Sequence, residues 1–368
     1  MKSLRMPFCA RSLAAFGVAA LVAVIVAGVT PAAAYDYSGK RIDFVVPFPT
    51  GGGSDVWARF FAPRFHQALP GNPVIAVRNV PGGGSITGAN QFAERAKADG
   101  LHVLGTSGST QFPYLLGDSR VKYDYKNWTV ILVTPTGGVV YVNPELGAKS
   151  VDELKNLRGK KLVYGSQGAT SLDLIVPFAF ELLGLDLQVV FGMKGRGPAR
   201  LAFERGESTV DYQTTAAYLR NVTPLIKQDK AVPLWAWGSI DEKGELVRDS
   251  TFPDVPHFGE AYEKMHGKKP SGPEWDAWKA FFVAGFAAQK MIVLPKETPK
   301  EIIDTWRQAA EKVVKAPDFN EAAEKTLGDV DQGIGKRAET LYKLATTVDP
   351  KSKAWVRDWL TKKFNVKF

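Results

Sequence analysis

The chain has 368 residues, a formal net charge of +9 at pH 7 and a single cysteine, Cys9. Because Cys9 lies inside what reads as an export leader, the rest of the chain is excluded from disulfide frameworks, thiol nucleophiles and cysteine-based metal sites. The basic excess is spread along the chain with no Lys/Arg block, which argues against a nucleic-acid-binding tail.

Lys2, Arg5 and Arg11 precede an apolar run from Leu13 to Val29, and Pro31-Ala32-Ala33-Ala34 follows before Tyr35. A basic start, an apolar centre and a small-residue exit predict a signal peptide over residues 1–34, cleaved after Ala34. The competing reading is an uncleaved anchor, since the run approaches the shortest spanning helix. The alanine-rich exit and the lack of a basic flank favour cleavage and a periplasmic protein. Cys9 precedes the apolar run, so it is lost with the leader and not lipidated.

Arg41 to Pro47 reads as a strand, followed by the turn Gly51-Gly52-Gly53 and a helix carrying Trp57, Phe60, Phe61 and Phe65. Pro63 falls inside that pattern and predicts a kink or break near Ala62. A second unit runs from a strand at Val74–Val77 through Pro81-Gly82-Gly83-Gly84 into a helix over Thr87–Lys97. His102–Gly105 is the next strand, with the polar turn Thr106-Ser107-Gly108-Ser109 after it. Strands alternating with helices imply a mainly parallel sheet covered by helices.

Trp128–Asn143, interrupted by Pro135 and Gly137-Gly138, suits a crossing between lobes. A new α/β series follows: a strand at Lys161–Tyr164, the loop Gly165–Ser171, a helix over Leu172–Leu183 and a strand at Gln188–Phe191. After the loop Gly192–Gly197 come a helix through Phe203 and a strand near Thr209–Tyr212. Val232–Trp237 reads as the return crossing, and Asp241–Pro273, polar and rich in Gly and Pro, as mostly loop. Ile302, Ile303, Trp306, Ala309, Ala310 and Val313 mark an amphipathic helix whose stripe is core.

Three strand-to-helix loops, Pro49–Asp55, Thr106–Ser109 and Ser166–Ser171, are rich in Gly, Ser and Thr. Such loops present unpaired backbone N–H groups at helix N-termini, where the helix dipole favours an anion. Any one of them alone is a capped βα turn; the first and third together predict a site. The glycine spacing fits neither a dinucleotide fingerprint nor a phosphate loop, and no hydrolase elbow is present. His66, His102, His257 and His266 have no metal-ligand spacing. Asp173, Asp211 and Asp254 are not distinguishable in the sequence from solvated loop or cap residues and define no paired-carboxylate mechanism, so the expectation is no enzyme, no metal and no cofactor.

Val45-Val46-Pro47-Phe48-Pro49-Thr50-Gly51-Gly52-Gly53-Ser54-Asp55-Val56-Trp57-Ala58-Arg59 resembles the opening motif of the tripartite tricarboxylate transporter substrate-binding receptors, or Bug receptors. Arg78–Gly88 resembles their second glycine motif, and Ala96-Lys97-Ala98-Asp99-Gly100 a block that usually carries proline at the third position. Tyr164–Thr170, Phe252–Pro256 and Leu294–Pro299 resemble later blocks, so the likeness spans nearly the whole mature chain. Departures fall at Ala98, His102, His257 and the basic stretch Gly192–Pro198, whose Lys194 and Arg196 are either solvated or partners of a second ligand carboxylate.

The resemblance implies an α/β, periplasmic binding protein type II-like fold: two lobes joined by two crossing strands, with the ligand cleft between them. Lobe 1 would comprise residues 35–135 and 236–368, and lobe 2 residues 136–235. It further implies a receptor that captures a small carboxylate, a dicarboxylate or aromatic acid among the candidates, for the membrane subunits of a tripartite tricarboxylate-type transporter. The rival readings are a sensor partner of a membrane kinase and a periplasmic enzyme. Ligand contacts are expected from Phe48, Gly52, Gly53, Ser54, Asp55, Thr106 and Ser107 on one side. Ser166, Gly168, Ala169, Thr170 and Ser171 are expected opposite them. The protein is expected to act as a monomer and to bind no nucleic acid.

Overall fold

Every element anticipated as a strand is one, and together they build two separate sheets. The computed structural model describes residues 34–241 and 244–368; the leader read over residues 1–34 falls outside them except for Ala34. The first sheet contains β1 (Arg41–Val46), β2 (Val74–Asn79), β3 (His102–Ser107) and β4 (Thr129–Thr134). The second contains β5 (Gly138–Val142), β6 (Leu162–Ser166), β7 (Leu187–Phe191), β8 (Val210–Thr214) and β9 (Val232–Ala236). A short hairpin, β10 (Ser239–Ile240) with β11 (Leu246–Val247), precedes the return to the first sheet through β12 (Lys290–Leu294) and β13 (Gly333–Ile334).

Strand order is β13-β4-β12-β3-β1-β2 in the first sheet and β7-β6-β8-β5-β9 in the second. The pairs β1/β2, β1/β3, β6/β7 and β6/β8 are parallel, as the helical crossovers require. Two strands run antiparallel to both neighbours: β12 lies between β3 and β4, and β5 between β8 and β9. The anticipated crossing at Trp128–Asn143 is two strands, β4 and β5, in different sheets, separated only by Pro135, Thr136 and Gly137.

Alternating side chains give the first sheet two apolar faces. Ile292 and Leu294 of β12 enter a core with Trp57, Phe61, Phe65 and Trp306, while Met291 and Val293 enter one with Phe92, Tyr125 and Trp128. The second sheet is likewise covered on both faces. The helices Phe258–His266, Pro273–Phe286 and Pro350–Phe364 share its larger core, with Phe178 stacked 4.8 Å from Trp355 and 4.9 Å from Trp359.

Three local features are decided by the fold. Of the kink or break anticipated near Ala62 the break is absent, since helix α1 (Gly53–Ala68) continues through Pro63. A proline inside a helix costs about 3 kcal/mol, but Trp57, Phe60, Phe61 and Phe65 are all buried on this helix, and each such burial is worth about 1.5–3 kcal/mol. The region expected to be mostly loop contains the helix Phe258–His266, begun by a capping box between His257 and Glu260. Asp173 and Asp211 are not solvated; both are fully buried.

Candidate functional site

The loop after β1 enters α1 at Gly52, which caps the helix with no side chain. The N–H groups of the first turn therefore have no acceptor within the helix. On the second sheet, the helix Arg196–Glu204 begins in the same way behind Gly195. These two uncapped N-termini meet: a Cβ on Gly197 would lie 3.3 Å from Gly52 N, and one on Gly195 would lie 2.6 Å from Pro49 Cδ. A cavity of about 30 Å³ remains there, room for a couple of water-sized groups, so the cleft is closed.

Its walls come from both sheets: Phe48, Gly52, Gly53 and Ser54 after β1, Ser107 at the end of β3 and Ser109 beyond it, and Gln289 and Lys290 at β12. The second sheet contributes Gln167, Leu172, Arg196, Tyr212 and Thr214. Lys290 is 2% exposed and its Nζ donates to Ser54 Oγ at 3.1 Å. Among the described residues no carboxylate forms an ion pair with it, and burial pushes its pKa down to about 7.

Arg196 is the second cation and it is fully committed. Its guanidinium donates to Gly165 O at 2.7 Å, to Asp173 Oδ2 at 3.1 Å, to Tyr212 O at 3.0 Å and to Asp211. Burial alone would lower its pKa; the Asp173 carboxylate and the surrounding tyrosines outweigh that and raise it. Asp173 is held in turn by Gln167, whose backbone N donates at 2.7 Å and whose Nε2 donates at 3.1 Å. Asp211 accepts from Tyr141 and from Gln213 Nε2. Arg196 is thus a buried brace, neither a solvated charge nor a free ligand partner.

Of the anticipated contacts, Phe48, Gly52, Gly53, Ser54 and Ser107 line the cavity. Asp55 lies behind it, accepting from Gly51 N at 3.0 Å, Arg59 Nε at 2.9 Å and Asn79 Nδ2 at 3.1 Å. Thr106 Oγ1 is taken by Tyr125. The loop Ser166–Ser171 is turned inward on itself: Ser166 Oγ accepts from Gly168 N, Ser171 caps the short turn at Leu172–Leu174, and Ser171 Oγ donates to Gly168 O. Ala169 packs against the second sheet's core, and Thr170 Oγ1 donates to Asp118 Oδ2 at 2.6 Å. Hydroxyl-rich loops satisfy their own helix ends, whereas glycine-led ones leave theirs unpaired.

Sequence reasoning missed Gln167, Tyr212, Thr214, Gln289 and Lys290 as cavity residues. One signal was available for the last two: Gln289 and Lys290 together interrupt an otherwise apolar stretch from Phe281 to Leu294. Three of the four histidines make structural contacts to backbone groups. His66 Nδ1 contacts Pro73 O, His266 Nε2 contacts Leu182 O, and His257 Nδ1 accepts from Gly259 N and Glu260 N.

Two α/β sheets closing on a buried polar cavity define the architecture of a periplasmic binding protein. Residues 58–357 match the model of the tripartite tricarboxylate transporter family receptor, and the chain belongs to that family. It is 31% identical over 221 residues to protein BugT of Bordetella pertussis, a match covering 58% of this chain and 65% of BugT. It is also 26% identical to the UPF0065 protein in the tcbD-tcbE intergenic region of Pseudomonas sp. strain P51, over 79% of each chain. Among solved structures, one described as a periplasmic transporter superposes with a TM-score of 0.65 at 25% identity, covering 90% of this chain and 99% of that one. MatC from Rhodopseudomonas palustris with bound malate gives 0.64 at 18% identity, covering 87% and 98%. An R. palustris protein with adipate gives 0.66 at 18%, covering 89% and 98%; at such identities the likeness is one of fold. No helix among the described residues is long and apolar enough to cross a membrane.

Proposed function

We propose that this chain is an extracytoplasmic receptor that captures a small carboxylate between its two sheets and presents it to a tripartite tricarboxylate-type transporter, without transforming it. The observation that carries this reading is Lys290: a buried cation without a carboxylate partner among the described residues, beside the uncapped N-terminus of α1. Leaving a cation buried and unpaired is costly, and an anion in the cavity removes that cost. The ligand carboxylate accepts from Lys290 Nζ, Ser54 Oγ and the amides of the α1 first turn. Closure keeps water from these hydrogen bonds and strengthens them. Arg196, neutralised by its aspartates, holds the opposite wall in shape. The malate and adipate carried by relatives of the same fold support a carboxylate as ligand class. The leader is removed after Ala34 in the course of export.

Thermal unfolding of the mature protein against panels of carboxylates, amines and neutral solutes tests the reading. A ligand at a hundred times its Kd adds about 2.7 kcal/mol of stability. Carboxylates should raise Tm and lose that effect in Lys290→Met; stabilisation by amines alone would refute the proposal.

A further inference from the structure

Two glutamine carbonyls at the cavity have no hydrogen-bond partner among the described residues: Gln167 Oε1 and Gln289 Oε1, on residues 7% and 2% exposed. Amide orientation is usually ambiguous, but at Gln167 it is fixed. Its Nε2 donates to Asp173 Oδ1, and a carbonyl oxygen turned there would face a carboxylate. Asp173 also accepts from Gln167 N and from Arg196, so it is held rigidly against the amide. The donation polarises the amide and makes Oε1 a stronger acceptor.

A carboxylate end cannot satisfy Oε1, because an ionised carboxylate only accepts. We infer that the ligand carries, besides its carboxylate, an O–H or N–H donor that is read by Gln167 Oε1. The ligand class is therefore a hydroxy, amino or amide-bearing carboxylate, and not a plain diacid. The inference rests on the carboxylate reading for the anionic end but depends on a different wall of the cavity, on the second sheet. Lys290 selects the charge; Gln167, positioned by Asp173, selects the substituent.

Calorimetry on the mature protein with matched short acids tests this: the unsubstituted acid, its hydroxy, amino and amide derivatives, and the diacid of equal length. At least one donor-bearing acid should bind ten-fold or more tighter than both the unsubstituted acid and the diacid. Gln167→Met should abolish that preference, weakening the donor-bearing acid ten-fold or more and the unsubstituted acid by a smaller factor, a split that general damage to the fold would not produce. Circular dichroism and urea unfolding check that the variant is folded. Equal or tighter binding of the unsubstituted acid or the diacid overturns the inference. Neutral amides and alcohols of the same skeletons separate the two readings. If they bind in a Gln167-dependent way while no acid does, the carboxylate reading fails and only the donor-reading role of Gln167 survives. If nothing in the panel binds, both fail.

Discussion

Gly53 at the start of α1 and Thr214 at the end of β8 approach so closely that a Cβ on Gly53 would lie 2.2 Å from Thr214 Oγ1. Helix α1 packs on the first sheet and β8 belongs to the second, so this approach is part of how the cleft closes. At Gly52 the nearest atom to such a Cβ is Gly197 N at 3.6 Å, an ordinary contact, and its φ of −87° is open to any residue. Gly51, at φ +81°, is the position in this loop that needs glycine for its backbone.

Gly53→Ala should therefore weaken ligand binding by about 1–3 kcal/mol, the usual cost of overpacking, while Gly52→Ala stays near wild type. Adding Thr214→Ala to Gly53→Ala removes the clashing oxygen and should restore most of the affinity. Calorimetry on the three variants checks this, and an unrescued double variant would place the damage elsewhere.

Lys290 makes affinity depend on pH. Burial lowers its pKa to about 7 in the free protein, and a bound carboxylate raises it, so the complex holds more protons above pH 7. Affinity should be flat below about pH 7 and fall as pH rises above it, and Lys290→Met should show a weak, flat profile. Stability runs the other way. The unfolded lysine binds its proton up to the ordinary value of 10.5, so the burial penalty is full below about pH 7 and lifts between there and 10.5. Lys290→Met should accordingly unfold at a higher temperature than wild type at pH 6.

The Arg196 brace should be needed for folding as well as binding. Removing one member of a buried ionic cluster leaves the rest uncompensated, typically at about 3–5 kcal/mol. Arg196→Met, with Asp173 and Asp211 left buried, should show a loss of that size in urea unfolding. A change below about 1 kcal/mol would mean that water enters the cluster readily.

His257 supplies an acid-sensitive helix cap. Its Nδ1 accepts from Gly259 N at 3.0 Å and Glu260 N at 3.3 Å, a role only the neutral ring can fill. Burial lowers its pKa; Glu260 acts against that and Arg248 adds to it. A histidine with a depressed folded pKa contributes stability that is present above about 6.5 and lost as pH falls through the folded value. His257→Asn keeps a capping oxygen without titrating, so it should remove this part of the acid slope. Unfolding free energies between pH 5 and pH 8 (about the range where histidine titrates) check it.

Much of the chain's local organisation was legible from residue order alone. The strands at Arg41, Val74, His102, Leu162, Leu187 and Val210 announce themselves by apolar runs bounded by Gly, Pro or polar turns, and the first glycine motif carries the family likeness. The helix at Phe258 was missed because its start signal is an unusual one, a histidine acting as the cap. At the site, sequence could mark loops able to bind an anion but not which of them keep their N–H groups unpaired. The Ser166–Ser171 loop looked the more polar candidate, yet its own hydroxyls consume its donors. Only the tertiary fold brings Lys290, distant in sequence, to Ser54, and only the fold buries Arg196 between Asp173 and Asp211. Local pattern is set by backbone geometry and the spacing of apolar side chains, whereas the charge and hydrogen-bonding state of a cavity depend on groups that long-range packing alone brings together.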